Sequence, residues 1–147
     1  MRIPIPLFLL ILVLSASSSL TAHASNCSNS TIRGTYSFTV QGQILPPVVT
    51  SPALVDGIAK TTFDGNGNLR QVDAVAVDGN VPAGWRPGKG TYSINPNCTG
   101  TMTVVNQNMP PLHLQIVVAQ SGKTIHTVVI DQGFAVTSDA ERIQASK

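Results

Sequence analysis

The chain has 147 residues, with nine lysines and arginines against seven aspartates and glutamates. Those basic residues are scattered singly, which excludes the clustered footprint of a nucleic-acid binder or a membrane-surface patch. The length suits one hydrophobic core rather than two.

The first element in chain order is a processing segment. Arg2 supplies a positive n-region, residues 7–14 are an apolar h-region, and a small, polar stretch ends in Ala22-His23-Ala24, an A-x-A cleavage pattern. Cutting is expected after Ala24, so that residues 1–24 leave as a signal peptide and residues 25–147 fold as a secreted or periplasmic domain. The apolar run falls far short of the roughly 18–20 residues that span a bilayer as a helix. Later apolar runs around Val117 and Val128 are broken by polar residues, so no integral membrane segment is expected after cleavage. Cys27 does not suit a lipid anchor, because Asn26 stands before it where a small residue is needed.

Two cysteines, Cys27 and Cys98, remain in a chain bound for an oxidising compartment. A disulfide is the expected outcome there. It would close a long loop and stabilise the fold by roughly 2–4 kcal/mol.

The mature chain is rich in Thr, Val, Ile and Gly, and period-two alternation recurs where helical periodicity is missing. Residues 34–40 alternate with Tyr36, Phe38 and Val40 on one face, and Val55, Ala59 and Phe63 align in the next run. Further strands are expected over 69–77, 90–94, 100–105, 112–119, 123–130 and 134–143, although Asp139-Ala140-Glu141-Arg142 could instead make a helical turn. Eight strands joined by turns predict an all-β, antiparallel up-and-down barrel, with a β-sandwich as the alternative.

Strand parity in such a barrel places Cys27, before strand one, and Cys98, after strand four, at the same end. Connections at that end are short. Those at the other end, apart from the short Gln132-Gly133 connection, are longer and rich in proline, running over 43–53, 79–88 and 106–111. They carry Ile44, Leu45, Val48, Val49, Val81, Trp85 and Met109, with Arg86 almost their only charge. This end is a candidate mouth for a ligand or a protein partner. The competing expectation is that the loops fold down and fill the barrel, as side chains do in most small barrels.

Chemical motifs are sparse, and no cofactor or metal is expected. Asp64-Gly65-Asn66-Gly67-Asn68 opens like a calcium loop, but Leu69 and Val75 stand where the glycine and glutamate are required. It reads as a β-turn. His113 and His126 share a face yet stand roughly 13 Å apart along the ladder at about 3.3 Å per residue. That is too far for one metal ion. No G-x-S-x-G elbow, H-E-x-x-H or phosphate loop occurs, so no catalytic residue is assigned.

Asp73 interrupts the third strand. Pointing inward, it would be a desolvated carboxylate and, with His113, an acid/base candidate. The expected alternation instead points Val72, Ala74 and Ala76 inward, which buries no charge. Asn26, Asn29 and Asn97 head N-x-S/T sequons, which matter only in a glycosylating host. Arg33-Gly34-Thr35-Tyr36-Ser37 and Lys89-Gly90-Thr91-Tyr92-Ser93 nearly repeat, with glycine for bending, threonine outward and tyrosine inward.

G-T-Y-S-F at 34–38, F-D-G-N-G-N-L at 63–69 and G-T-Y-S-I-N-P-N-C-T-G-T at 90–101 together resemble a family of uncharacterised bacterial secreted β-barrel proteins. The resemblance spans most of the mature chain and implies no activity. More distantly, the layout is similar to calycin barrels and to the allene-oxide-cyclase and dirigent barrel, an analogy of fold alone. The lipocalin G-x-W pattern is missing, with Tyr36 where tryptophan would stand.

The leading expectation is a non-enzymatic exported barrel that takes a small apolar molecule or a partner at its loop-rich end. The alternatives are a cyclase- or isomerase-like enzyme and a structural envelope protein.

Overall fold

A computed structural model describes residues 26–81 and 83–145. The expected signal peptide and its cleavage site lie outside the described residues. Eight strands run in sequence: β1 Gly34–Ile44, β2 Ala53–Phe63, β3 Asn68–Val77, β4 Arg86–Ile94, β5 Thr99–Asn106, β6 Leu112–Ala119, β7 Thr124–Val129 and β8 Phe134–Ala145. Each pairs antiparallel with its neighbour, and β1 also pairs with β8, which closes the barrel. Among the described residues no helix is long and apolar enough to cross a membrane.

Closure and pairing explain how far the strands run. β8 runs on through Asp139 to Arg142 because it has partners on both sides: Asp139 faces Thr39 of β1 and His126 of β7. Satisfying the backbone on two edges outweighs the local pull of Asp139-Ala140-Glu141-Arg142 towards a helical turn. β4 likewise starts at Arg86 rather than Gly90, since Arg86 has Asp73 as a ladder partner.

Side chains alternate inward and outward around the barrel. The lower half is solid. Phe63 meets Tyr36 and Tyr92 edge-on, with ring centroids 5.4 and 4.9 Å away. A 3-10 turn, Asn29–Ile32, closes the base by inserting Ile32, which is wholly buried. The Cys27–Cys98 disulfide fastens this plug to the β4–β5 turn, at the end where parity places both cysteines. Arg142 adds a second fastening: it donates from Nη2 to the Thr31 carbonyl (2.6 Å) and from Nε to the Tyr36 hydroxyl (2.9 Å). The Tyr36 hydroxyl in turn donates to the Gly122 carbonyl. Gly122 has φ +84° and no room for a β-carbon, which would overlap the Thr31 carbonyl oxygen.

Tyr36 and Tyr92 are the only tyrosines in the chain, and both belong to this base. Burial raises both phenols above the ordinary 10.0; Arg142 opposes the rise at Tyr36, and the Gly65 and Gly67 backbone opposes it at Tyr92. The folded state therefore holds them neutral at a pH where the unfolded chain ionises them. Stability from this source is complete below pH 10.0 and is lost as pH rises through the folded pKa values. Tyrosinate absorbance of the native protein should lag behind that of the unfolded chain above that pH, with both tyrosines ionising together as the fold is lost. Native tyrosines that titrate at the ordinary value would contradict the sealed base.

Candidate functional site

The upper half of the barrel is hollow. A cavity of about 150 Å³ lies under the loop-rich end. Its walls are mostly apolar and include Val40, Ile44, Val55, Val75, Leu114 and Val136. The expectation that the long loops fill the interior is therefore corrected. Leu45, Val48, Val81 and Trp85 do not line the cavity, and Trp85 is 57% exposed beside the mouth. Leu45 is instead held by its N–H to the Gly133 carbonyl at 2.7 Å. Like Trp85, Val48 and Val81 are exposed. Of the residues expected at the loop-rich end, Ile44, Arg86 and Met109 line the cavity wall.

The main correction concerns Asp73. It points into the cavity and is 3% exposed, whereas Val72, Ala74 and Ala76 face outward. The β2–β3 hairpin sets this parity: Leu69 opposes Phe63 and both are buried, so residues 71, 73, 75 and 77 follow inward. Reversing the face would expose Leu69 to spare one carboxylate.

The carboxylate is compensated by residues on β3, β4 and β5. Arg86 opens β4 directly opposite Asp73 and points inward with Tyr92 and Ile94; its Nε donates to Oδ1 at 2.8 Å. Asn106 ends β5 and donates from Nδ2 to Oδ2 at 2.7 Å. Gln71, two residues before Asp73 on the same face, donates to that oxygen at 3.4 Å and to Asn106 Oδ1 at 3.0 Å. Thr61 orients Gln71 by donating to its Oε1 at 3.3 Å. Gly88 makes the arrangement possible, because a β-carbon there would overlap Asn106 Oδ1.

Across the barrel, Thr127 and Ser138 share a hydrogen bond on the β7–β8 wall. The cavity thus has one ionic pole, one small hydroxyl pair and apolar walls between. Gln71, Asn106, Thr127 and Ser138 were not anticipated; the spacing of Gln71 and Asp73 was the available signal, since residues two apart share a face.

The rim is notched next to the ionic pole. The β3–β4 ladder ends at Asp73 and Arg86, while the β2–β3 ladder continues to Val77. Arg86 therefore stands at the edge of the opening, its side chain 28% exposed.

His113 lies outside the barrel and cannot serve the cavity. It is exposed, with Nδ1 2.8 Å from Asp131 Oδ1, and its backbone N–H donates to Oδ2. That backbone bond is the main cause holding Asp131 below the usual carboxylate range. His126 also faces outward, paired with Asp139. Among the described residues no group of three or more His, Cys, Asp or Glu is arranged to hold a metal ion. No protein-family model, curated protein or solved structure matches the chain.

Proposed function

We infer that this barrel binds a small, mainly apolar molecule in its upper cavity, entering at the loop-rich end. The observation that carries the reading is the apolar-walled cavity of about 150 Å³ beneath a notched rim. A dry protein cavity of about that size accommodates a benzene ring. A ring-sized ligand buries roughly 150–250 Å² of surface, judged by aromatic side chains. At about 25 cal/mol per Å² this gives roughly 4–6 kcal/mol, or dissociation constants from about a millimolar to tens of micromolar.

Export supports the same reading. The disulfide belongs to an oxidising compartment, and the A-x-A segment upstream would deliver the chain there.

Methyl-resonance NMR on the chain from Ser25 onward, titrated with small aromatic hydrocarbons, tests the proposal. The methyls of Val75, Leu114 and Val136 should shift in a saturable way. Val75→Phe, which fills the cavity, should weaken binding about tenfold or more, the cost of about 1.4 kcal/mol of lost contact. Cavity methyls indifferent to the whole series would overturn the reading.

The enzymatic alternative draws on Asp73, the acid inside the cavity. Three donors already converge on its carboxylate. Such an anion is suited to holding Arg86 in place; a general base needs an oxygen free to reach substrate. A structural envelope role calls for a solid interior, which only the lower half has.

A further inference from the structure

Resting on the cavity reading above, we propose that Arg86 selects the ligand's polar end, and that this end is an uncharged carbonyl: a ketone, aldehyde, ester or lactone. The guanidinium spends only Nε on Asp73. Its two Nη groups make no hydrogen bond among the described residues, and the side chain lines the cavity at the notched rim. Those N–H groups are donors in a fixed fork, held by the bond to Asp73. Everything else lining the upper cavity is apolar, a small hydroxyl, or a partner already engaged with Asp73. The strongest unused polar capacity therefore donates hydrogen bonds and accepts none.

The charge of the acceptor follows from the same contacts. Asp73 already neutralises Arg86, and its carboxylate is fixed by Asn106 and Gln71 as well. A ligand carboxylate would share the guanidinium with a buried anion on its other side. It would shed its hydration while gaining only part of a cation. A carbonyl oxygen meets the same N–H groups with little desolvation cost and no repulsion from Asp73. A hydrocarbon leaves the donors unused. A cationic ligand meets the wrong side of Arg86.

Cumene, acetophenone and benzoate, similar in size and differing in the polar group, separate these cases when titrated against the chain from Ser25 onward by NMR. Acetophenone should bind about tenfold or more tighter than cumene, the margin of one hydrogen bond to a charged donor. It should also bind tighter than benzoate. In Arg86→Met the preference for acetophenone over cumene should collapse towards one. Lys89→Met, on the outer face of the same strand, should keep it. Because Arg86→Met leaves Asp73 buried without its cation, the double variant Asp73→Asn/Arg86→Met is measured alongside and should show the same collapse. Equal binding of acetophenone and cumene to the unaltered protein overturns the carbonyl proposal and leaves the cavity reading standing. Benzoate binding tightest overturns it in favour of an anion site. Failure of all three to bind overturns the cavity reading, and the carbonyl proposal with it.

Discussion

Replacing Cys27 and Cys98 together by serine is expected to lower the unfolding free energy by about 4 kcal/mol. The two cysteines are 71 residues apart, and their sulfurs are joined at the buried base. Chain-entropy reasoning for a loop of that length gives about 4.4 kcal/mol at 25 °C. Total stabilities of small domains are only about 5–15 kcal/mol, so the loss would be a large share. The plug keeps other attachments: the Cys27 N–H donates to the Pro96 carbonyl at 3.1 Å, and Asn29 Oδ1 accepts from the Ile94 N–H at 2.8 Å. Urea unfolding of the double serine variant measures the effect directly. A loss under about 1 kcal/mol, the size of a single net hydrogen bond, would mean that those attachments suffice without the crosslink.

Asp73→Ala is expected to cost about 3 kcal/mol, and Asp73→Asn less. Breaking one partner out of a buried ion pair costs roughly 3–5 kcal/mol, because the other charge is left without compensation. Arg86 can turn partly to solvent through the notch, which places the value at the low end. Asn106 and Gln71 also lose an acceptor that they converge on. The double variant Asp73→Leu/Arg86→Met should recover most of the loss, since replacing both members by apolar groups removes the uncompensated charge. A denaturant-unfolding cycle of the two single variants and the double variant reads the coupling. Strictly additive effects would show that the two side chains are not a unit.

These two sites also show how unevenly the sequence discloses the structure. Strand number and the shared end of Cys27 and Cys98 follow from alternation and from parity counted along the chain. The face of β3 does not. Val72, Ala74 and Ala76 make a plausible inner face by local pattern. What decides against them is Leu69 seated on Phe63 across the hairpin, together with an arginine supplied by β4. A buried charge is compensated by neighbours in space, and the chain order of Asp73, Arg86 and Asn106 does not show that they meet. Leu45, Val48 and Trp85 are expected at the mouth because they are apolar residues on loops, whereas the cavity below it is walled mostly by strand residues whose direction the ladder fixes. Of the residues expected on loops, Met109 joins them, as does Ile44, which ends β1. Arg86 is a strand residue and lines the cavity where the β3–β4 ladder ends.

The ladder between β1 and β8 has a consequence for how such a barrel comes into being. Tyr36 is matched to Arg142, more than a hundred positions further along the chain. A meander can be laid down hairpin by hairpin, each with modest loop-closure entropy. The final ladder can form only when the last strand arrives, and topologies ruled by such distant contacts fold slowly. A chain threaded through a membrane from its N-terminus would thus have no enclosed interior until β8 had crossed. Its cavity would be sealed for the first time on the far side of that membrane.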